Sequence, residues 1–271
     1  MTDTAHFWRD PAMPFVESRR ACQSRACYRP HNHPTFSIGA VDQGASVFTG
    51  ANNPPITLKA GMVVFVPAGK VHACNPSPGT QWSYQMLHLN ARWLQTVRSE
   101  YAECGVELEA DEAICIVDQA SIYQAFCRLN ELLFSPAGRD EKESALIDFM
   151  ATCDLSNGVR VDPPYQTVGH VERLDPVLAL MEDTLSRSRS LSELSDMVGM
   201  SRYQFIRAFR ARTGMSPHAW QLNQRINLGR DRIREGGAIA TVAQELGFAD
   251  QAHFQRMFKA FTGITPARYR R

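Results

Sequence analysis

Between about Phe15 and Leu89, short apolar runs alternate with turn residues: TFSIGAV, ASVFTG, ITLKAG, MVVFVPAG and WSYQMLHL. These are strand lengths punctuated by Gly, Pro and Asn, and they predict an antiparallel β-structure. From about Arg92 to Cys153 the period becomes helical. In SIYQAFCRLNELLF, Ile122, Phe126, Leu129 and Leu133 recur at spacings of 4, 3 and 4, one apolar stripe. EKESALIDFMATC places Ala145, Ile147, Phe149 and Met150 on a second amphipathic segment. Residues 156–169, SNGVRVDPPYQTVG, have no period and hold two prolines and two glycines, which predicts a linker. The rest reads as helix to the end. The pattern therefore predicts an α+β chain of two domains: a β-rich domain with following helices over 1–155, a linker over 156–169, and an all-α domain over 170–271.

The helical third contains a repeat. Leu191, Leu194, Val198 and Gly199 match Ile239, Val242, Leu246 and Gly247 at an offset of 48. Phe205, Arg207, Phe209, Ala211, Thr213, Gly214 and Pro217 match Phe254, Arg256, Phe258, Ala260, Thr262, Gly263 and Pro266 at an offset of 49, so one residue is inserted in the turn. Each copy reads as helix, glycine turn, helix. Gly199 or Gly247 permits a left-handed turn, and Ser201 or Asp250 is a good N-cap for the second helix. Phe205 and Phe209, like Phe254 and Phe258, fall at i, i+4 on a face expected to be buried. The opposite face keeps Arg202, Gln204, Arg207 and Arg210 in the first copy and Gln251, His253, Gln255 and Arg256 in the second. Long amide and guanidinium side chains match the donor and acceptor pattern of base edges in a major groove. Two helix-turn-helix motifs are expected. Between them Ala219, Leu222, Ile226, Gly229 and Ile233 predict one helix of roughly 17 residues, about 25 Å long, which would separate the reading helices by near one turn of DNA.

Charge sharpens this picture. The chain's net charge is +1, but residues 1–169 hold 13 basic and 18 acidic side chains, whereas residues 170–271 hold 16 basic and 10 acidic. All but one of those 16 are arginine. A basic helical part beside an acidic remainder fits double-stranded DNA as partner of the former. An apolar content of 44% excludes wholesale disorder, and no apolar run approaches the length of a membrane span. The first twenty residues lack the apolar core of a secretory signal, and seven cysteines without a C-x-x-C read as free thiols. A cytoplasmic protein is expected.

At residues 247–270, GFADQAHFQRMFKAFTGITPARYR, the sequence resembles the AraC/XylS family of transcriptional regulators. Gly247, Phe248, Phe254, Arg256, Phe258, Lys259, Thr262, Gly263 and Pro266 stand where the family pattern has them. The resemblance covers about 100 residues and implies a unit that inserts two helices into successive major-groove segments. Ser201, Arg202, Tyr203, Gln204 and Arg207, with Gln251, His253, Gln255 and Arg256, are the candidate DNA contacts. It further implies a homodimer and contact with RNA polymerase; the stripe Ile122, Phe126, Leu129 and Leu133 in the helices around residues 121–153 would pair two subunits or, alternatively, pack on its own barrel.

The segment from Arg29 to His72 resembles the cupin-like sensor arm of the same family, which implies a β-barrel. Gly61, Pro67, Gly69 and His72 in GMVVFVPAGKVH form the second cupin motif. His31 and His33 supply the His-x-His of the first, but Ser37 and Ile38 occupy the place of its carboxylate. Three histidines suit a metal, yet the missing carboxylate favours a small organic effector, with no metal, no cofactor and no catalytic residue. His31, His33, Phe36, His72, Trp82 and Tyr84 are the candidate effector residues, Trp82 and Tyr84 sharing one face of a strand. The competing reading is a metal-dependent cupin enzyme with a DNA-binding tail; a structural nucleoid protein is a third.

Overall fold

A computed structural model describes residues 4–50, 54–103, 113–154, 159–161 and 172–270. The chain forms two compact units: Met1–Ala26, His33–Lys70 and Cys74–Pro164 make the first, and Cys27–Asn32, Val71–Ala73 and Tyr165–Arg271 the second.

The first unit holds strands β1 (Thr4–Arg9), β2 (Val16–Ser24), β3 (Thr35–Gln43), β4 (Ala45–Gly50), β5 (Ile56–Lys59), β6 (Val63–Val66), β7 (His72–Pro76, whose first residues belong to the second unit), β8 (Trp82–Asn90), β9 (Cys115–Val117) and β10 (Val159–Arg160). Its helices are α1 (Ala91–Glu103), α2 (Ala120–Leu133) and α3 (Arg139–Asp154). A seven-stranded sheet runs β1-β2-β8-β3-β6-β9-β10 and a three-stranded sheet runs β5-β4-β7. The described pairings are antiparallel as expected, but they form two open sheets in place of one closed barrel. Strand β10 lies inside the stretch expected to be linker: Val159 and Arg160 pair with Ile116 and Cys115, and Val161 is buried. The other residues of that stretch lie outside the described ones.

Both faces of the large sheet are covered. Phe36, Ile38 and Ala40 of β3, Val63 and Phe65 of β6, and Leu87 and Leu89 of β8 join a core with the helices. Val41, Val64, Val66, Trp82 and Tyr84 point the other way, into a core shared with Phe48 and Leu58 of the small sheet. The continuous apolar run Val63–Val66 is thus a strand buried on both sides, where alternation is not required.

The stripe Ile122, Phe126, Leu129 and Leu133 is buried in the helix-side core, with Leu146, Phe149 and Met150 of α3. Of the two expectations for the stripe, the structure shows packing on the chain's own sheet. The sheet face carrying Phe36, Ile38, Leu87 and Leu89 needs an apolar cover, and the stripe supplies it within one chain. Phe126→Ala is therefore expected to cost about 3–5 kcal/mol of stability in chemical denaturation, with sedimentation unchanged. A change of oligomeric state at unchanged stability would restore the pairing role to this face.

The second unit contains α4 (Asp175–Asp183), α5 (Leu191–Met197), α6 (Arg202–Thr213), α7 (Pro217–Arg234), α8 (Ile239–Glu245), α9 (Gln251–Thr262) and α10 (Pro266–Arg270). Leu174, Val177, Leu194, Phe205, Phe209 and Trp220 form one buried cluster. Phe254 packs edge-to-face on Phe248 and Phe258, and Phe258 on Tyr269. No described helix is long and apolar enough to cross a membrane.

Candidate functional site

Each repeat folds as helix, tight turn, helix. Gly199 and Gly247 take φ values of 64° and 73°, the left-handed turn that the spacing predicts. Gly214 and Gly263 close α6 and α9 in the same conformation, and Ser216–Pro217 and Pro266 start the following helices. Phe205, Phe209, Phe254 and Phe258 are fully buried, which fixes the rotation of α6 and α9 about their axes. Their opposite faces are thereby turned to solvent.

On α6, Arg202, Tyr203, Gln204 and Arg207 are exposed, Tyr203 to 70%. The Arg207 guanidinium lies 5.8 Å from the centre of the Tyr203 ring. Ser201 and Gln204 have a structural task. The Ser201 hydroxyl accepts from the Gln204 N–H at 3.3 Å, and Gln204 Oε1 accepts from the Ser201 N–H at 3.0 Å. This reciprocal cap satisfies two orphan donors of α6, so the Gln204 carbonyl oxygen is already engaged. On α9, Asp250 caps the helix by accepting from the His253 N–H at 2.6 Å. Gln251 and Arg256 are exposed, Gln255 is half-buried, and the His253 ring packs edge-on against Phe248 at 5.4 Å.

Arg225, on α7 between the two motifs, escaped the sequence reading. It is buried, and its Nε donates to Leu185 O at 2.5 Å, its Nη1 to Gly247 O at 3.3 Å and its Nη2 to Ser188 Oγ at 3.2 Å. Burial pushes its pKa down from the ordinary arginine value. One guanidinium thus ties the segment before α5 to the turn of the second motif. The signal for it is a lone cation between Leu222 and Ile226, one turn after Gln221, on the buried face of α7.

The aromatic effector candidates do not share one face of the large sheet. Phe36 pairs with Leu89 across β3 and β8 and is buried in the helix-side core. Trp82 and Tyr84 stack at 4.2 Å in the core of the opposite sheet face. His33 meets His88 edge-on at 5.0 Å, and Ser37 Oγ lies 2.9 Å from His88 Nδ1. His88 was not singled out from sequence, because on β8 it sits between Leu87 and Leu89 in an apolar run. In the second unit His31 and His72 exchange backbone hydrogen bonds of 2.9 Å each way, and their rings lie 4.7 Å apart.

Comparison with known proteins agrees with this division. Residues 16–148 match the model of the AraC-like ligand binding domain, and residues 194–271 match a helix-turn-helix domain. The raffinose operon transcriptional regulatory protein RafR of Pediococcus pentosaceus is 22% identical over 93% of this chain and 91% of its own length. The arabinose operon regulatory protein of Salmonella typhimurium is 25% identical over 89% of this chain and 85% of its own. The crystal structure of apo ToxT from Vibrio cholerae shares the fold, with a TM-score of 0.60 at 13% identity, covering 94% of this chain and 96% of that one. The chain belongs to the AraC-type transcriptional regulators, with a ligand-binding domain ahead of a DNA-binding domain built on helix-turn-helix motifs.

Proposed function

We propose that α6 and α9 each enter the major groove of double-stranded DNA and read sequence through Arg207 and Arg256, helped by Arg202, Tyr203, Gln251 and Gln255. The observation that carries this reading is the equivalent, exposed placement of the two arginines on helices whose opposite faces are locked by Phe205–Phe209 and Phe254–Phe258. Ser201 serves as a cap, and His253 packs on Phe248, so neither is a primary base reader. Gln204 reaches a base only by exchanging its bond to the Ser201 N–H or by using its amide nitrogen. Helix α7, 18 residues and about 27 Å by its rise per residue, suits reading helices about one turn of DNA apart.

The ligand-binding domain senses a small-molecule effector in this reading, and the protein acts in the cytoplasm as a regulator that is not an enzyme. The place where a cupin carboxylate would stand holds Ser37, bonded to His88, and the buried Ile38. His33 and His88 are a polar pair placed to meet an effector in the first unit, and His31 and His72 pair within the second. Phe36, Trp82 and Tyr84 serve as core. Family membership supports a homodimer and contact with RNA polymerase.

Selection from a random pool of duplex DNA by the full-length protein tests the DNA reading. It should enrich one motif with two contacted half-sites about 10–10.5 base pairs apart. Retention of unrelated sequences alike would favour a nucleoid role and reject specific recognition.

A further inference from the structure

The second unit contains a cavity of about 270 Å³ beside α6. Its walls come from the end of α4, the segment before α5, the last turns of α6 and the start of α7. Met181, Leu194, Ile206 and Pro217 give it an apolar floor. Its polar lining includes Arg187, Arg189, Arg210 and His218, and none of the lining residues is acidic. The nearby carboxylate of Glu193 accepts from the Ser190 N–H at 2.7 Å and is committed to capping α5.

Two further features point to an oxyanion. Arg189 Nε is buried and has no hydrogen-bond partner among the described residues. A buried donor without an acceptor is uncommon, and here it borders an open cavity. The cavity also lies at the start of α7, where Ser216 spends its hydroxyl on the Ala219 N–H. The N-terminal end of an 18-residue helix adds positive potential there.

The location selects the source of the anion. Tyr203, Arg207 and Arg210 fall at i, i+4 and i+7 of α6, so the arginine that lines the cavity continues the stripe proposed to read bases. A duplex seated on that stripe brings its sugar-phosphate backbone past the flank of α6, whose Ile206 and Arg210 line the cavity.

We propose that this cavity seats one backbone phosphate of the duplex read by α6, held by Arg187, Arg189 and Arg210. The proposal rests on the DNA reading above. A phosphate clamp fixes the register of α6 in the groove and carries no sequence information of its own. The shared chemistry is a tetrahedral oxyanion, and a free phosphate is the competing source.

The test uses full-length protein, a duplex selected by the wild type and a scrambled duplex of equal length. Affinity is measured across a salt series for wild type, Arg189→Gln and Arg189→Lys, with thermal melts to establish folding. Arg189→Gln should flatten the plot of log affinity against log salt by about 0.9 on both duplexes, leave the selected motif unchanged, and be rescued by Arg189→Lys. Arg187→Gln should act in the same direction, which keeps the proposal testable if Arg189→Gln unfolds. An unchanged slope in a folded variant overturns the clamp. So does binding of inorganic phosphate without DNA that Arg189→Gln abolishes while the slope stays unchanged, which assigns the cavity to a free anion. A wild type that selects no duplex brings down the DNA reading itself, which a failed clamp alone does not.

Discussion

Gly247→Ala is expected to destabilise the helical unit far more than Gly199→Ala, although the two glycines occupy the same place in the repeat. Both have positive φ, so an alanine at either costs about 1–2 kcal/mol in backbone strain. The surroundings differ. A Cβ on Gly247 would lie 2.0 Å from Ser186 O and 2.8 Å from Ser186 C, whereas a Cβ on Gly199 meets nothing within 4 Å. Ser186 is backbone in the segment that Arg225 anchors through Leu185 and Ser188, so it cannot yield without breaking those bonds. Overpacking adds about 1–3 kcal/mol. The total, about 2–5 kcal/mol, is a large part of the stability of a domain this size. Thermal unfolding followed by the helical circular dichroism signal should show a drop of well over 8 °C for Gly247→Ala and a smaller one for Gly199→Ala. Equal losses would mean that the Ser186 contact does not constrain the turn.

Arg207→Ala and Arg256→Ala should each weaken binding to the selected duplex by about 1–3 kcal/mol, or roughly 5- to 150-fold, if each bridges a guanine edge. Both side chains are exposed on the folded protein, so neither loss should be accompanied by a lower melting temperature. The signature of a base contact is relaxed preference at one position of one half-site: Arg207→Ala in one half, Arg256→Ala in the other. The second reading helix carries fewer charges than the first, so Arg256→Ala should change salt dependence less than substitutions on α6. Gel-shift titrations with duplexes varied one base pair at a time give both quantities. Undiminished affinity and base preference in Arg256→Ala would remove α9 from the reading surface.

The helical unit was the more legible half. Its turns, caps and buried phenylalanines follow from local rules that repeat twice, and the repeat filters out accident. The exception is Gln204. Ser-x-x-Gln at residues 201–204 carries the signature of a reciprocal cap, yet an exposed amide on a basic helix also reads as a base contact, and only the hydrogen bonds separate the two. The β-rich unit was legible in type but not in arrangement. Strand β2, VESRRACQS, conceals itself behind two adjacent arginines. Their stems cross the sheet so that Arg19 lies over Tyr84 at 5.5 Å and Arg20 over Phe134 at 4.4 Å, which lets charged residues occupy a packed strand.

The aromatic effector candidates Phe36, Trp82 and Tyr84 separate for a related reason. Alternation along one strand shows which residues share a face, but not which face of a neighbouring strand they join. The pairing of Phe36 with Leu89 puts Phe36 opposite to Trp82 and Tyr84. That register depends on contacts distant in sequence, as does the choice between covering the sheet and pairing with a second subunit for the stripe on α2.

Hydroxyl-radical footprinting of the full-length protein on its selected duplex tests the two-helix reading most directly. The account predicts two protected segments on one face of the duplex, centred about 10–10.5 base pairs apart, with Arg207→Ala weakening one and Arg256→Ala the other. A single protected segment, unaffected by Arg256→Ala, would contradict it.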